Sequence, residues 1–250
     1  MRVSIITVVY NNSSTIKSAI ESVLSQTYKD IEYIVVDGAS TDGTVDIIKE
    51  YGDRIDKFVS EPDNGIYNAM NKGIKLSTGD IVGILNSDDF FTNNSIIQNI
   101  VDSFDNDIDA IYGDIQFVDP NNLNKIVRYY SSERFKRSSF KYGFMPAHPS
   151  FYVRRKFYEE LGLYKEDYKI GADYELLVRF LYCNNLKTKY LKFPFVCMRT
   201  GGVSNQNFKS NFTLNNEILR ACKENGLNTN LLNIYSKYYF KVFEFINFRK

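Results

Sequence analysis

The sequence predicts an α/β fold built on a mostly parallel, doubly wound sheet, and three observations lead to this prediction. Residues 4–10 form a nearly continuous β-branched and apolar run, which is typical of a strand covered on both faces. Helical spacing of apolar residues follows that run, and strand-helix alternation then continues to about residue 104. The chain, at 250 residues, is long enough to bury one large core.

The regular part of the chain contains four predicted strands, each followed by a predicted helix. The strands cover residues 4–10, 31–36, 55–60 and 81–85. The first helix begins after the N-cap candidates at 11–14, and the others cover 44–51, 66–76 and 96–104. The third helix is predicted to bury Ile66, Ala69, Met70 and Ile74 on one face.

The alternation ends after about residue 111. Residues 119–124 are rich in turn formers, and 129–142 are basic and aromatic without a clear period. A strand is predicted at 149–154 and a helix at 172–184. Residues 211–250 are typical of two helices separated near Asn225 and Gly226, so we expect one globular unit with a helical C-terminal extension.

Composition and charge argue against several classes of protein. The net charge of +1 provides no overall field that would attract nucleic acid. The three cysteines lie far apart, which argues against a disulfide framework or a zinc site and fits a reducing compartment. We find no signal-peptide pattern and no run of the roughly 18 apolar residues that a spanning helix needs. A cytoplasmic location is expected.

Polar residues follow three of the predicted strands. They are Asp37, the pair Asp63-Asn64 and the segment Asn86-Ser87-Asp88-Asp89. In open α/β sheets, ligands bind beyond the carboxyl ends of the strands, so these residues are predicted to share one binding rim. A single Asp after a strand can equally be a turn or helix-cap residue, and this alternative stays open for Asp42 and Asp63.

The adjacent carboxylates of Asp88 and Asp89 indicate a cation. Like charges repel at this spacing, and a bound metal ion offsets the repulsion. A hard divalent ion takes carboxylate oxygens and keeps positions for phosphate oxygens, so a diphosphate could complete such a site. The alternative is a capped helix start or a surface turn beginning at Asp89.

Other nucleotide and hydrolase folds lack their motifs here. The first strand is followed by residues 10–14, Tyr-Asn-Asn-Ser-Ser, instead of the glycine pattern of a dinucleotide-binding fold. No phosphate-binding P-loop pattern occurs, and residues 2–10 contain no Asp to serve as a phosphatase nucleophile. A G-x-S-x-G elbow is also absent, and His148 is the single histidine.

Four motifs in this order resemble those of family 2 glycosyltransferases, the inverting enzymes of the GT-A fold. They are the opening run 3–11, Val36-Asp37-Gly38-Ala39-Ser40-Thr41-Asp42-Gly43-Thr44, the stretch 63–73 beginning Asp-Asn-Gly-Ile-Tyr-Asn, and Thr78-Gly79-Asp80 leading to Asn86-Ser87-Asp88-Asp89. The resemblance extends through His148-Pro149 and Asp173 to about residue 205. The sequence is similar to the branch of this family that is encoded in O-antigen, capsule and exopolysaccharide loci. This resemblance implies a Rossmann-like GT-A sheet with flanking helices.

The resemblance assigns the donor-binding residues. Asp37 matches the residue that hydrogen-bonds the uracil edge, and Tyr10 lies where base and ribose are flanked. Asn64 and Gly65 match the segment that closes over the nucleotide, and Gly65 also permits a positive φ before a helix. Asn86-Ser87-Asp88 occupies the D-x-D position. Asp88 is then the expected ligand of Mn²⁺ or Mg²⁺, with Asp89 as an alternative ligand or a donor contact, while Asn86 departs from the family pattern.

The resemblance also implies the catalytic base. Asp173 matches the carboxylate that takes the proton of the acceptor hydroxyl, with Glu175 as second choice. The alternative is that Asp173 only caps a helix beginning near Tyr174. His148 is placed near the donor sugar or diphosphate, although a lone histidine can be purely structural. Residues 201–204, Gly-Gly-Val-Ser, form either a loop closing on the phosphates or a plain turn.

The function implied is inverting transfer from a UDP-sugar to a saccharide or lipid-linked saccharide acceptor, in bacterial surface polysaccharide biosynthesis. Residues 1–110 would bind the nucleotide sugar, 111–210 the acceptor, and 211–250 would form a helical tail. A catalytically inactive sugar-nucleotide-binding protein is one alternative, which Asn86 keeps open. A sugar nucleotidyltransferase is another, although the glycine- and arginine-rich loop that it needs after the first strand is absent.

The aromatic and basic tail allows two interpretations. Its apolar positions follow a helical face, with Lys and Arg between them: Tyr235, Tyr239, Val242, Phe243 and Ile246. Such a pattern suits weak peripheral binding to an anionic membrane at its cytoplasmic face. It equally suits a last helix that packs its apolar face on the domain.

Overall fold

The strands of the central sheet come from both halves of the chain. A computed structural model describes residues 1–201 and 208–238, for 208 and 209 the backbone only, and within this part the sheet has nine strands. They are β1 (Val3–Val9), β2 (Ile31–Asp37), β3 (Lys57–Ser60), β4 (Ile81–Ile84), β5 (Asp89–Phe91), β6 (Ala110–Asp119), β7 (Asn122–Tyr130), β8 (Tyr152–Arg154) and β9 (Thr188–Arg199).

Helices connect most of these strands. The α-helices are α1 (Ile16–Leu24), α2 (Thr44–Lys49), α3 (Ile66–Leu76), α4 (Ile96–Ser103), α5 (Lys156–Leu161), α6 (Ala172–Leu177) and α7 (Phe208–Glu224). Short 3₁₀ helices occur at Gly52–Arg54, Arg137–Tyr142 and His148–Ser150, and a π-helical segment at Val178–Cys183 continues α6. Residues 231–238 are helical as well.

The predicted α/β architecture is confirmed. The strand order is β3-β2-β1-β4-β8-β6-β9-β5, and β7 pairs with β6 as a hairpin. The strands β1 to β4 run parallel to one another, as the strand-helix alternation predicts. The second half adds β8, which runs antiparallel to both β4 and β6, and β9, which runs parallel to β6 and antiparallel to β5. The sheet is therefore mixed on that side.

Several predicted elements differ from the structure in informative ways. Ile66 was predicted to be inward-facing but is 46% exposed, because it lies in the first turn of α3. The predicted helix 172–184 is divided into α6 and the π-helical segment. Asp89 begins the short strand β5, whose Phe91 is buried, and so the surface turn is wrong. The strands β6, β7 and β9 were not predicted, and the predicted strand 149–154 is shortened to Tyr152–Arg154.

The core lies on both faces of β1. Every residue of this strand is buried, as its apolar sequence predicts for a strand covered on both sides. Ile5 packs in one cluster with residues of α1 and α4. Ile6 points to the other face and packs in a second cluster with residues of α3, α6 and α7. A Cβ added to Gly73 of α3 would lie 2.3 Å from Ile6 Cγ2. The helix α3 is thus seated directly on the sheet.

Among residues 1–201 and 208–238, no helix is both long enough and apolar enough to cross a bilayer.

Candidate active site

The carboxyl ends of β1, β2 and β3 bring the first group of candidate residues together. The parallel registers align Val9 with Asp37 and Asp37 with Ser60. A Cβ added to Gly38 would lie 2.5 Å from Asp63 Oδ2 and 3.3 Å from Tyr10 Cδ2. Tyr10 is 65% exposed, so it offers an accessible aromatic side chain at this rim.

Asp37 is buried and held in one orientation. Its carboxylate accepts hydrogen bonds from Ser40 N at 3.0 Å and Ser60 Oγ at 2.7 Å, and another from Ser40 Oγ. A carboxylate has about four lone-pair positions, and these three hydrogen bonds use most of them. The expected contact with a uracil edge stays a prediction.

The loops after β1 and β2 are joined by side chains. Asn11 Oδ1 accepts from Thr41 N at 2.8 Å, and Asn12 N donates to Thr44 Oγ1 at 2.9 Å. Asp42 accepts from Ser13 N at 3.0 Å and from Thr44, whose hydroxyl hydrogen bond is the main reason why the pKa of Asp42 is lowered. Asp42 is accordingly a turn residue, one of the two roles left open by the sequence.

The segment before α3 is an exposed turn. Gly65 has a φ of 110°, as its position before the helix predicts. Asp63 Oδ1 accepts from Gly65 N at 2.8 Å, which makes Asp63 the residue that shapes this turn. Asn64 is exposed beside it. The closing role of Asn64 and Gly65 over a nucleotide stays a prediction.

The acidic segment, Asn86-Ser87-Asp88-Asp89, follows β4 and ends in the first residue of β5. Hydrogen bonds connect it to the loop after β1. Asn12 Nδ2 donates to Ser87 Oγ at 3.0 Å, and Thr15 Oγ1 donates to Ser87 O at 2.8 Å. These contacts bring Asn86-Ser87-Asp88-Asp89 to the same rim as Tyr10 and Asp37. Asp88 is partly exposed, whereas Asp89 is buried.

Two oxygen atoms in this segment are buried without a hydrogen-bond partner in the described part of the chain: Asn86 Oδ1 and Asp89 Oδ1. Burial raises the pKa of Asp89 well above its usual range, and repulsion from Asp88 adds to the increase. Native proteins rarely leave buried polar atoms unpaired, and a bound ion is one explanation. The donors are oxygens, which hard divalent ions prefer.

The residues present fit a metal site in which a bound ligand supplies the remaining coordinating atoms. Residues 1–201 and 208–238 contain no cluster of three or more His, Cys, Asp or Glu side chains that could hold a metal by themselves. Mg²⁺ commonly binds through one or two carboxylates together with substrate phosphates. Asp88 and Asp89 would supply the protein ligands, with Asn86 beside them, and the metal site stays a prediction.

Arg199, at the end of β9, is a functional candidate that the sequence did not reveal. Its Nη1 donates to the main-chain oxygen of Asp88, and its Nη2 donates to Ser18 Oγ at 2.7 Å. The guanidinium carbon also lies 4.9 Å from the ring centre of Phe90. Identifying Arg199 required the strand β9, since only the pairing of β9 with β5 places it beside the acidic segment.

His148 lies beyond the carboxyl end of β4. The antiparallel register pairs Gly83 with Tyr152, so the residues before Tyr152 extend past the end of β4 toward Asn86. His148 Nε2 is 2.8 Å from Tyr164 Oη. Burial lowers the pKa of His148, which favours the neutral ring, and the carboxylate of Asp173 opposes this effect.

Asp173 lies in the first turn of α6, and its carboxylate interacts electrostatically with the side chain of His148. The helix begins at Ala172 with Gly171 as its N-cap, so the prediction that Asp173 merely caps a helix starting near Tyr174 is wrong. Asp173 Oδ1 accepts from Tyr174 N at 2.7 Å. Burial raises the pKa of Asp173, and the interaction with His148 reduces that increase.

Glu175, the second candidate for the base, is engaged in the core. Its buried carboxylate lies 2.9 Å from Arg179 Nη2 and 3.1 Å from Lys165 Nζ, and it accepts from Asn225 Nδ2 at 3.2 Å. Burial alone would raise the pKa of Glu175, but hydrogen bonds led by the one from Arg179 lower it. These contacts give Glu175 a structural role.

The loop 201–204, which was predicted either to close on the phosphates or to form a plain turn, lies mostly outside the described residues. Gly201 is described and has a φ of 101°. Gly202, Val203 and Ser204 lie outside the described residues, as do Tyr239, Val242, Phe243 and Ile246 of the predicted tail helix.

Comparison with known families and sequences gives a consistent result. A model described as Glycosyl transferase family 2 matches residues 4–162. An uncharacterized glycosyltransferase of Rickettsia typhi is 34% identical over 186 residues, which cover 72% of this chain and 58% of the relative. A PGL/p-HBAD biosynthesis glycosyltransferase of Mycobacterium tuberculosis is 27% identical over 208 residues, covering 81% and 78%. The chain thus spans little more than half the length of the rickettsial relative.

Solved structures show the same fold at low sequence identity. Staphylococcus aureus TarS 1–349 in complex with UDP-GlcNAc superposes with a TM-score of 0.70 at 18% identity, covering 92% of this chain and 68% of TarS 1–349. The mannosyltransferase PcManGT from Pyrobaculum calidifontis, in complex with GDP-Man and Mn²⁺, has a TM-score of 0.67 at 20% identity, covering 92% of this chain and 65% of PcManGT.

Proposed function

The chain belongs to glycosyl transferase family 2 and has the GT-A fold, and we propose that it transfers a sugar, with inversion, from a UDP-sugar to a saccharide acceptor. The observation that carries the proposal is the acidic segment with its two unpartnered buried oxygens, Asn86 Oδ1 and Asp89 Oδ1. They lie on the rim that also holds Tyr10 and Asp37.

The donor side of the proposal follows from this rim. Tyr10 would flank the base and ribose, Asp37 would accept a hydrogen bond from the uracil edge, and Asn64-Gly65 would close over the nucleotide. Asp88, which is partly exposed, would be the first ligand of Mn²⁺ or Mg²⁺, and Asp89 the second. A divalent cation held there would neutralise charge that develops on the departing diphosphate.

The acceptor side depends on Asp173. Its carboxylate would take the proton of the acceptor hydroxyl while that oxygen forms a bond to the anomeric carbon and the bond to the diphosphate breaks. The raised pKa of Asp173, caused first by burial, makes it a stronger base than an exposed carboxylate. His148 beside it would contact the donor sugar or diphosphate.

A role in bacterial surface polysaccharide biosynthesis, such as O-antigen or capsule, is the biological part of the proposal. Residues 1–110 would bind the nucleotide sugar and 111–210 the acceptor, with 211–250 as a helical tail. A lipid-linked acceptor would agree with a peripheral position at the cytoplasmic face of the membrane. In the described part of the tail, Leu232 is 83% and Tyr235 42% exposed, which supports membrane contact, whereas Ile234 is fully buried in the core and supports packing on the domain.

Membrane contact is tested by liposome flotation. Full-length protein should float with vesicles that contain anionic lipid, and a chain ending after Asn230 should float less. Equal flotation of both proteins would remove the membrane contact from the proposal and leave the transfer reaction unaffected.

Transfer itself is tested in two steps. Thermal shift with UDP-, GDP- and dTDP-sugars, with and without Mn²⁺, should show metal-dependent stabilisation by UDP-sugars. Release of free UDP in the presence of acceptor then separates an enzyme from an inactive sugar-nucleotide-binding protein, the alternative that Asn86 supports. Release of pyrophosphate from UTP and sugar phosphate would instead identify a nucleotidyltransferase.

The assignment of Asp173 as the catalytic base is tested with one substitution. Asp173→Asn keeps the size and hydrogen-bond geometry of the side chain but removes the proton acceptor. We expect turnover to fall by about 100-fold or more, with the donor dissociation constant unchanged within about twofold. Calorimetric donor titration and UDP release measure the two quantities, and unchanged turnover would refute the assignment.

A further inference from the structure

The connection between α5 and α6 makes hydrogen bonds on two sides just before the chain reaches Asp173 in α6. This connection, residues 162–171, begins at Gly162 after α5 and ends at Gly171, the N-cap of α6. On one side it contacts α3, which starts at the nucleotide rim. On the other side it contacts α7, which lies beyond the part of the chain that the family model matches.

The contact from α7 centres on one carboxylate. Glu217 Oε1 accepts from Lys169 N at 2.7 Å, and Glu217 Oε2 accepts from Ile170 N at 3.0 Å and Gly171 N at 2.8 Å. A Cβ added to Gly171 would lie 3.2 Å from Glu217 Cβ, so the backbone and the helix approach each other closely. Three successive peptide groups are thus fixed by a single side chain.

The contact from α3 fixes the opposite edge of the same peptide. Tyr67 Oη donates to the main-chain oxygen of Ile170, while the N–H of that peptide group, Gly171 N, donates to Glu217. Further along, Asn71 Nδ2 donates to Tyr164 O and Asn71 Oδ1 accepts from Tyr164 N, each at 2.9 Å. The connection therefore has little freedom on the α3 side.

Other residues of α7 hold the earlier part of the connection. Arg220 pairs with Asp167, and its guanidinium carbon lies 4.3 Å from the ring centre of Tyr168. Glu224 accepts from Lys165 Nζ at 2.8 Å and from Tyr168 Oη at 2.9 Å. Among these contacts, those of Glu217 are the ones made directly to the backbone that enters α6.

We propose that Glu217 is a positioning residue for Asp173, which it serves by fixing the backbone of residues 169–171 and by placing a negative charge behind the catalytic carboxylate. The inference rests on the proposed role of Asp173 as the base. It adds a function for α7, since this helix would complete the acceptor half of the site.

The charge of Glu217 acts on Asp173 together with the other groups that face it. Burial raises the pKa of Asp173, His148 lowers it, and Glu217 raises it. The phenols of Tyr67 and Tyr164 face the same carboxylate, and Asp173 in turn contributes to their raised pKa values. A base whose pKa is closer to the working pH accepts a proton more effectively. Glu217 would therefore strengthen the base as well as position it.

Two substitutions separate the charge from the geometry. Glu217→Gln keeps the length but removes the charge, and leaves one acceptor oxygen for three N–H donors. Glu217→Asp keeps the charge but is one methylene shorter. For both variants we expect kcat to fall by about tenfold and the KM for the donor to stay within about twofold, because the base is misplaced while the donor rim is intact.

The pH readout distinguishes positioning from a merely structural role. A base must be deprotonated to act, so kcat/KM falls as the pH drops below the pKa of Asp173. In E217Q this acid limb should move to lower pH by roughly half a unit to one unit, whereas in E217D it should stay near that of the unsubstituted protein. Glu159→Gln, which removes an exposed carboxylate of α5 paired with Arg155, is the control and should change neither quantity.

A direct titration keeps the test independent of turnover. The ¹³C shift of the Asp173 carboxyl, assigned by its loss in D173N, reports the pKa even when no donor is transferred. A lower Asp173 pKa in E217Q than in E217D supports the inference, and identical titrations in all folded variants overturn it. Should E217Q fail to fold by circular dichroism, a kcat of E217D equal to that of the unsubstituted protein would likewise overturn it. Absence of turnover in the unsubstituted protein would reject the proposed function instead.

Discussion

Ala39, in the turn after β2, has a φ of 63°, in a region that alanine rarely adopts. The left-handed conformation costs an L-residue about 1–2 kcal/mol, while a glycine at the same position costs roughly 0.5–1 kcal/mol of additional chain entropy. We expect Ala39→Gly to raise the free energy of unfolding by up to about 1 kcal/mol. Urea unfolding followed by circular dichroism measures the difference.

Gly43, in the same turn, provides the matched control. Its φ is 94°, and a Cβ there would meet no atom within 4 Å, so the effect of a side chain is backbone strain alone. Gly43→Ala should lower the free energy of unfolding by about 1 kcal/mol. If A39G proved less stable than the unsubstituted protein, the strain assigned to Ala39 would be wrong.

Arg199 shows how a single residue stabilises an acidic site. It bonds to Asp88 O and Ser18 Oγ, and its charge partly offsets the effect of burial on the carboxyl of Asp89. Arg199→Met removes the charge and these hydrogen bonds but retains an apolar stem beside Phe90. We expect the free energy of unfolding without metal to fall by about 1–3 kcal/mol.

The response to metal tests this interpretation of Arg199. With the guanidinium removed, a cation bound at Asp88 and Asp89 would take over the neutralisation. Mn²⁺ should therefore raise the melting temperature of R199M more than that of the unsubstituted protein, as measured by thermal shift at matched ionic strength. A smaller Mn²⁺ effect in R199M would contradict the proposed metal ligands or the role of Arg199 beside them.

At the scale of elements, a buried carboxylate joins three strands and a turn. Glu32 of β2 accepts from Ser4 Oγ of β1, from Lys57 Nζ of β3 at 2.8 Å, and from Thr78 N after α3 at 2.7 Å. Burial alone would raise the pKa of Glu32, but these hydrogen bonds, led by that from Lys57, lower it to about 2. The contacts fix the amino-terminal edge of the sheet, opposite the candidate site.

Glu32→Gln should destabilise the fold in a pH-dependent way. Because the folded-state pKa lies below the unfolded value, the stabilisation is present above the unfolded pKa and is lost as the pH falls toward 2. We expect a loss of about 3 kcal/mol at pH 7 that shrinks steadily below about pH 4.5. Urea midpoints across this range test it, and E159Q is a surface control. A difference independent of pH would contradict the pKa assignment.

Element boundaries were predictable where one physical signal dominated. The helix α3 was predicted with its observed bounds because its apolar spacing is interrupted by Gly65 before it and by Ser77-Thr78-Gly79 after it. The strand β9 was missed because its burial is uneven: residues 195–197 are buried while its first residues alternate with exposed positions. Edge-like exposure and an internal Pro194 give no clear strand period.

At the scale of the molecule, the two halves share one sheet and contribute to both apolar clusters that cover it. The strand β9 lies between β6 and β5, and α7 contributes Ile218, Ala221 and Cys222 to the cluster that contains Ile6 of β1. The sequence boundary at about residue 110 therefore marks a change in strand pattern. We expect a single cooperative unfolding transition for the chain.

Truncation tests this unity. A fragment of residues 1–162, which includes the family-matched region, lacks α6, β9 and α7 and exposes the apolar faces that they cover. We expect it to lose cooperative unfolding, whereas the full chain should give coincident urea transitions by circular dichroism and by tyrosine fluorescence, the sequence having no Trp. A fragment with its own sharp transition would show that the first half is an independent domain.

The sequence by itself determined the α/β class, the strand-helix order of the first half and the rim on which its polar motifs meet. These features depend on local periodicity and on the rule that parallel strands end at one edge. The tertiary structure decided the rest. Arg199 beside Asp88 and Glu217 behind Asp173 are separated from their partners by 111 and 44 residues in the chain. No local pattern encodes such pairs, because sheet pairing and helix packing bring them together.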